Sequence, residues 1–301
     1  MDITENYEYG GWKKCVRIAN EEMEAVILTD VGPRIIRFGF IDGINILGEN
    51  KEQQGKTGGD EWMIYGGHRL WHSPEDIIRT YSPDNGPVNY ELDGETLKMV
   101  QDVEDKTGIR KEMEITFGKK NNVKILHRLV NKSQWGIEAA PWAITVMAKG
   151  GRAIIPQEPY RAGDADLKPA RSLVLWPYTR MADSRFIWGN KFIQVGQVPG
   201  AEEKQKIGVL NTAGWFAYSL KECLFIKSYK HKPDAKYPDF GANIEVYTDS
   251  EVLEMETLGG LGMIPPGGSA EHIEEWHIFR EEMKEDEEFL EKKLMPIVKE
   301  L

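Results

Sequence analysis

The chain has 301 residues, 41% of them hydrophobic and 29% charged, so it can bury a sizeable core and is not disordered overall. Its 38 basic and 49 acidic residues give a formal net charge of −11, which argues against nucleic acid as the main partner, because phosphate binding needs a basic surface. No linker splits the sequence and no repeat is visible, so we predict one domain over residues 1–301.

Short strands separated by turn residues dominate the sequence. Asp42-Gly43 and Asp93-Gly94 each lie between apolar runs, which is typical of β-hairpin turns. Polar and apolar residues alternate between Glu112 and Phe117, which is the period of a half-buried antiparallel strand. The predicted strands are residues 24–30, 35–40, 44–47, 90–92, 96–101, 110–117, 123–130, 137–147, 172–176, 185–195, 215–220, 224–228, 242–248, 251–258 and 272–279.

One helix is predicted, over residues 281–294 near the C-terminus. Its acidic residues come first and Lys292 and Lys293 come last, as the helix dipole favours. Phe289, Leu290 and Leu294 form a narrow apolar stripe for docking. About a dozen strands and one helix indicate an all-β fold of mainly antiparallel sheets with a C-terminal helix.

The segment 61–87 (EWMIYGGHRLWHSPEDIIRTYSPDNGP) is dense in polar and aromatic residues, and we predict a long loop here and not a core strand. Indole rings stack on the C–H patches of a sugar ring, and planar polar groups bind its hydroxyls. The alternative is a loop held by its own hydrogen bonds. The candidate binding residues are His68, Arg69, Trp71, His72, Glu75, Asp84 and Asn85.

His68 and His72 have the spacing of two zinc ligands on one helical face, with Glu75 as a third possible ligand. Arg69 lies between them, and its fixed positive charge would oppose a metal ion. Pro74 would also curtail a helix. We therefore predict no metal site and treat His68 as a hydrogen-bonding residue.

The strand 251–258 (EVLEMETL) carries two carboxylates with a spacing of two residues. Alternation sends Glu254 and Glu256 to one face of the strand, about 7 Å apart by strand rise. They are candidates for general acid–base chemistry, since each disfavours ionisation of the other. The alternative is an exposed face with two solvated acids.

Two further segments carry candidate site residues. Pro141 interrupts the apolar run 137–147, so we expect a kink at a sheet edge or rim, with Trp142 lining a cleft or packing in the core. Residues 229–240 (YKHKPDAKYPDF) form a basic-aromatic loop in an acidic protein. Its His231 and lysines could steer an anionic group such as a phosphate or uronate, or the segment is an ordinary surface loop.

These segments, in this order, resemble the galactose mutarotase-like (aldose epimerase-like) superfamily. The run 253–258 (LEMETL) resembles the family strand that carries the catalytic Glu, and 263–269 (MIPPGGS) resembles the turn that follows it. Residues 65–74 (YGGHRLWHSP) resemble the segment that lines the sugar cleft. Residues 27–40 and 274–279 resemble the opening hairpin and the closing strand. The resemblance implies a β-supersandwich fold.

The resemblance also implies roles for individual residues. Glu256 falls on the general base that deprotonates the anomeric hydroxyl, with Glu254 as the alternative register, and Arg69 would bind ring hydroxyls. Ala140 stands where the family carries its general-acid His. Either the acid comes from another loop, with His68, His72 and His231 as candidates, or ring opening is not the reaction.

Three functions follow as hypotheses. The first is an aldose 1-epimerase-type isomerase that uses acid–base catalysis on a free or phosphorylated sugar and needs no cofactor. The second is a carbohydrate-binding protein without catalysis, favoured by Ala140. The third is a polysaccharide lyase or hydrolase, since related supersandwich domains occur in such enzymes.

The remaining expectations concern partners and location. Cys15 and Cys223 are too few for a disulfide scaffold and lack metal-ligand spacing. No apolar run approaches the roughly 18 residues of a membrane span, and the N-terminus does not have the pattern of a signal peptide. We predict a cytoplasmic protein with a small carbohydrate or sugar phosphate as its partner, without membrane or nucleic acid, and leave the oligomeric state open.

Overall fold

Two large β-sheets form the framework of the protein in the computed structural model, which describes residues 1–118, 120–163 and 167–301. The strands are β1 (Asp2–Tyr9), β2 (Trp12–Ala19), β3 (Met23–Leu28), β4 (Arg34–Phe40), β5 (His68–Ser73), β6 (Asn89–Asp93), β7 (Thr96–Val100), β8 (Ile109–Phe117), β9 (Asn122–Asn131), β10 (Ile137–Met147), β11 (Arg152–Pro156), β12 (Leu173–Leu175), β13 (Phe186–Trp188), β14 (Phe192–Gly196), β15 (Gln205–Val209), β16 (Trp215–Leu220), β17 (Cys223–Tyr229), β18 (Ile244–Thr248), β19 (Leu253–Leu258), β20 (Gly262–Ile264) and β21 (Ser269–Phe279). The helices are α1 (Pro238–Gly241) and α2 (Glu287–Lys299).

The strands pair antiparallel in both sheets. The first sheet has the order β1-β2-β3-β4-β5-β10-β19-β18-β15-β12, and β20 pairs with the first part of β10. The second sheet has the order β13-β14-β11-β16-β17-β21-β9-β8-β7-β6. The all-β prediction with mainly antiparallel sheets and a C-terminal helix is confirmed.

The main hydrophobic core lies between the two sheets. It joins Leu70 and Met255 of the first sheet to Phe225 and Trp276 of the second. The predicted alternation in β8 is confirmed, because Met113, Ile115 and Phe117 are all buried in this core. Helix α2 covers the opposite side of the second sheet, where Leu290 and Leu294 pack against residues of β11, β14, β16 and β17.

The structure corrects the loop predicted around residue 70. Residues 68–73 form β5, a fully buried strand in the middle of the first sheet, between β4 and β10. Both faces of β5 are covered by other residues, so the hydrophobic alternation of a half-buried strand is absent. Polar and aromatic side chains fill both faces, which is why the segment looks like a loop in the sequence.

The kink expected at Pro141 is also corrected. Pro141 lies within β10, a central strand, opposite His72 of β5. On its other side the partner of β10 changes, from β20 at residues 137–139 to β19 at residues 142–147. Pro141 lies in this gap, where its missing N–H is not needed, and its carbonyl accepts a hydrogen bond from Gly259.

Other predictions made from the sequence are also corrected. Residues 44–47 are not a strand, because the side chain of Asn45 bonds the backbone of Ile36, Phe38 and Leu47. The predicted run 185–195 forms two strands, β13 and β14, that pair with each other. The C-terminal helix starts at Glu287, after the N-cap Asp286, whose side chain accepts a hydrogen bond from the amide of Phe289.

Within the described residues, neither helix has the length and hydrophobicity to cross a bilayer.

Candidate functional site

The side of the first sheet that faces away from the second sheet carries a group of charged and aromatic side chains. Residues directly opposite each other in an antiparallel pair project to the same side of the sheet. Trp71 of β5 lies opposite Trp142 of β10, and Glu256 of β19 lies opposite both Ile144 of β10 and Glu245 of β18. We call this group the carboxylate face; it comprises Arg69, Trp71, Trp142, Lys206, Glu245, Glu254 and Glu256.

Arg69 and Glu254 form an ion pair on this face, with 3.0 Å between Nη2 and Oε1. The guanidinium of Arg69 lies over the rings of Trp71 and Trp62, at 4.6 and 5.5 Å from their centroids. Burial raises the pKa of Glu254, against the pull of Arg69, and the charge of Glu256 raises it further. Glu254 therefore holds a proton more readily than an exposed glutamate does.

Glu256 is fully engaged on one of its two oxygens. Its Oε2 accepts a hydrogen bond from Nε1 of Trp142 at 2.8 Å and another from Nζ of Lys206 at 2.9 Å. Its Oε1 is buried and has no hydrogen-bond partner among the described residues. One oxygen is therefore fixed by the protein, and the other is free to accept a proton from a ligand.

Lys206 joins two carboxylates. Its ammonium lies 2.6 Å from Glu245 and 2.9 Å from Glu256, and 4.8 Å from the centroids of both Trp142 and Trp176. Burial opposes its charge, but the two carboxylates outweigh burial and raise the pKa of Lys206 well above its ordinary value. Burial raises the pKa of Glu245 well above its ordinary value, and the charge of Glu256 adds to this effect.

Aromatic rings surround these charges. Trp62, Trp71 and Tyr81 make edge-to-face contacts with centroids 5.0–5.6 Å apart, and Trp71 meets Trp142 in the same way at 5.4 Å. The hydroxyl of Tyr81 donates to Glu75 at 2.6 Å. A cavity of about 590 Å³ lies beside this group; its lining includes Tyr178, Lys204 and Tyr247, and Tyr247 lies directly opposite Glu254.

The structure therefore brings together five of the residues singled out from the sequence. Glu254, Glu256, Arg69, Trp71 and Trp142 all lie on the carboxylate face. Glu75 lies at its aromatic rim through Tyr81, which packs against Trp71. Trp142 contributes an indole N–H to the site as well as a packed ring.

The other candidates lie elsewhere. His68 and His72 project from β5 toward the second sheet, so the sheet itself separates them from Glu256. Asp84 pairs with buried Arg34 at 2.7 Å. Asn85 donates to two backbone carbonyls in the segment 59–61, and so stabilises the loop. His231 stacks on Tyr237, and its Nδ1 lies 3.2 Å from Nδ2 of Asn243.

His68 belongs to a polar cluster buried between the sheets. Its Nε2 lies 2.7 Å from Nε2 of His127, so one of the two rings carries the shared proton. These two nitrogens and a carboxylate oxygen of Glu274 lie within 4.8 Å of one another, a donor set that suits a metal ion such as zinc. However, the ammonium of Lys227 is only 3.0 Å from Glu274 and already supplies a positive charge there.

Several residues of the carboxylate face and its rim are not among those predicted from the sequence. Lys206 and Glu245 each stand as the one charged residue in a short strand, QKIGV and IEVYT, in which the other residues are mostly apolar. An isolated charge in a strand that is otherwise buried is the signal that could have found them. Trp62, Tyr81, Trp176 and Tyr178 lie in loops, where the sequence pattern gives no direction to a side chain.

No protein-family model and no curated protein matches the sequence. Solved structures do match the fold. A TPR-domain-containing protein from Parabacteroides distasonis aligns with a TM-score of 0.60 and 12% identity, over 90% of this chain and 48% of that one, so this chain spans about half of that protein. A galactose mutarotase-like protein from Clostridium acetobutylicum aligns with a TM-score of 0.55 and 12% identity, over 92% of this chain and 98% of that one. A second galactose mutarotase-like protein, from Lactobacillus casei, aligns with a TM-score of 0.53 and 9% identity, over 88% of this chain and 99% of that one.

These alignments cover nearly all of this chain and nearly all of the two mutarotase-like proteins, at identities that show the fold alone. The chain therefore has the galactose mutarotase-like fold.

Proposed function

We propose that the carboxylate face binds an aldose and interconverts its anomers, as an aldose 1-epimerase-type isomerase does. The observation that carries the proposal is a set of buried polar atoms that have no hydrogen-bond partner among the described residues. They include donors, Nε and Nη1 of Arg69 and Nε1 of Trp62, and an acceptor, Oε1 of Glu256. Buried polar groups are normally paired, so these atoms are suited to the hydroxyls of a ligand.

The surroundings of these atoms also suit a sugar. Trp62, Tyr81 and Trp176 are only partly buried, so part of each ring is accessible to a ligand at the rim of the carboxylate face. Such rings pack against the C–H patches of a pyranose, while the planar guanidinium of Arg69 can donate to two neighbouring hydroxyls. Two of the similar structures are galactose mutarotase-like proteins, which supports a sugar as the ligand.

Anomer exchange needs a base at the anomeric hydroxyl and an acid at the ring oxygen. We assign the base to Glu256, whose Oε1 is free, and the acid to Glu254, whose raised pKa helps it to keep a proton. Glu256 takes the anomeric proton, Glu254 protonates the ring oxygen, and the C1–O5 bond breaks to give the open aldehyde. After rotation about C1–C2 the ring closes by the reverse transfers, so no atom is gained or lost.

The test is anomer exchange measured by NMR or polarimetry with freshly dissolved aldoses. We expect Glu256→Gln to lower the rate by about 10²–10⁴-fold, the usual contribution of a general base. Glu254→Gln should also lower it, because glutamine has no acidic proton to give. Glu251→Gln is the matched control, since Glu251 is exposed, just before β19, and pairs only with Lys149 in the described structure.

A second candidate is carbohydrate binding without catalysis. It is favoured by Ala140 at the position where the family carries its acid and by the burial of His68 and His72 on the opposite side of the sheet. A thermal-shift screen with aldoses separates the two, because a ligand that binds the native state raises the melting temperature. Binding without anomer exchange would select the second candidate. An exchange rate that is equal in the wild type and in Glu256→Gln would refute the assigned base.

A further inference from the structure

The carboxyl groups of the carboxylate face outnumber its cations. Arg69 pairs with Glu254, whereas Lys206 is shared by Glu245 and Glu256. Two cations therefore meet three carboxyl groups, so one carboxyl group either holds a proton, as Glu254 does in the proposed reaction, or is left as an excess carboxylate. Asp239, in the turn before β18, adds to the negative potential at Glu245. The excess charge is buried, since Glu245 and Glu256 are each only 1% exposed, so solvent screens it little.

The excess carboxylate also has unused bonding capacity. Apart from the ion pair with Lys206, neither oxygen of Glu245 has a hydrogen-bond partner among the described residues, and Oε1 of Glu256 has none. A buried anion without full compensation is costly and attracts either a proton or a cation.

The aromatic rings point to the same kind of ligand. The face already places two cations against indole rings: Arg69 over Trp71 and Trp62, and Lys206 beside Trp142 and Trp176. The faces of these rings carry negative quadrupole charge, which favours a cation and disfavours an anion. The surplus carboxyl group and the indole rings therefore both favour a positively charged ligand.

We infer that the saccharide bound at the carboxylate face carries a positive charge, as an amino sugar does, and that Glu245 supplies the charge that selects it; this inference rests on the proposed function. A sugar phosphate or uronate is disfavoured by the same field. In the unbound protein, burial favours a proton on one of these carboxyl groups, and an ammonium group that binds beside Glu245 should displace that proton into solution.

The test compares glucosamine, glucose, N-acetylglucosamine and glucose 6-phosphate by isothermal titration calorimetry at low ionic strength and pH ~7, where the amine is mostly charged. We expect glucosamine to bind at least ~5-fold more tightly than the two neutral sugars, and the phosphate at least ~5-fold more weakly, as one buried charge several ångströms away implies. Repeating the titration in buffers of different ionisation enthalpy should show proton release with glucosamine only.

Glu245→Gln removes the excess charge with almost no change in shape. We expect this variant to lose the preference for glucosamine over glucose, while the exposed control Glu251→Gln keeps it. Equal affinity of the wild type for glucosamine and glucose would overturn the inference and leave the proposed function intact, as would a preference that survives in Glu245→Gln. Absence of binding by all four sugars would overturn the proposed function itself.

Discussion

Trp142 both packs against neighbouring side chains and donates a hydrogen bond to a buried carboxylate. Its ring packs against Trp71 and Lys206, and its indole N–H donates to Glu256. The sequence left two alternatives for Trp142, a cleft wall and a core aromatic. In the structure it is a buried aromatic residue of a small core cluster with Trp71 and Ile144, and its N–H also points to the charged group.

Replacing Trp142 by Phe keeps one aromatic ring but removes the indole N–H and part of the packed ring surface. We expect Trp142→Phe to lower the free energy of unfolding by about 1–3 kcal/mol, because Glu256 stays buried with one donor fewer. Urea denaturation measures the change. Trp188→Phe is the matched control: it also loses an indole hydrogen bond, to the carbonyl of Met181, but at a more exposed position. An equal loss in the two variants would contradict the role given to Glu256.

Lys206 is the cation that makes two buried carboxylates tolerable. Lys206→Met should lower the free energy of unfolding by about 3–5 kcal/mol, because it leaves Glu245 and Glu256 without their counter-ion. Adding Glu245→Gln should recover part of the loss, since it removes one of the two charges. Chemical denaturation of the single and double variants measures this coupling, with the exposed Lys204→Met as control. Additive losses would rule the coupling out.

The strands differ in how far their sequences predict them. β19 alternates clearly, so the common direction of Glu254 and Glu256 could be predicted, and the structure has it. β5 could not be predicted, because His68 faces the polar cluster between the sheets and His72 faces Glu104, while Arg69 and Trp71 lie on the carboxylate face. Only the partners in the neighbouring strands make these residues suitable for a buried strand, and a local pattern does not contain them.

The C-terminal helix gives a prediction at the scale of an element. Leu294 of α2 is fully buried against the second sheet, so Leu294→Ala should lower the free energy of unfolding by about 2–5 kcal/mol. Lys293→Ala, one position earlier and exposed, should change it little. Thermal or urea unfolding measures both. A small effect of Leu294→Ala would mean that α2 contributes little to the stability of the sheet it covers.

The polar cluster between the sheets determines how the whole molecule responds to acid. Burial lowers the pKa of His127 to about 4 and that of His272 to about 3. An unfolded histidine has a pKa near 6.5, so below that pH the unfolded chain binds protons that the folded chain does not. Stability should therefore fall as pH drops from about 6.5 toward 4, by about 1.4 kcal/mol per pH unit for each such histidine.

Denaturation curves recorded between pH 8 and 4 test this linkage. His127→Gln cannot take up a proton, so its stability should depend less steeply on pH in that window than that of the wild type. At pH 8 the imidazole of His127 is neutral in the folded and in the unfolded wild type, so the difference between the two proteins there measures the cost in packing and hydrogen bonding. Parallel curves for the two proteins would mean that His127 titrates alike in the folded and unfolded chains.

β5 and β10 each serve two separate environments. On one side of the sheet, Arg69 and Trp142 contact the carboxylates. On the other side, His68 and Thr145 contact each other within the polar cluster between the sheets. Shifting either strand by one residue would exchange the two sets and spoil both at once. The central strands are thus locked against insertions of a single residue, and new ligand preferences are more easily acquired in the loops that carry Trp62, Tyr81 and Trp176.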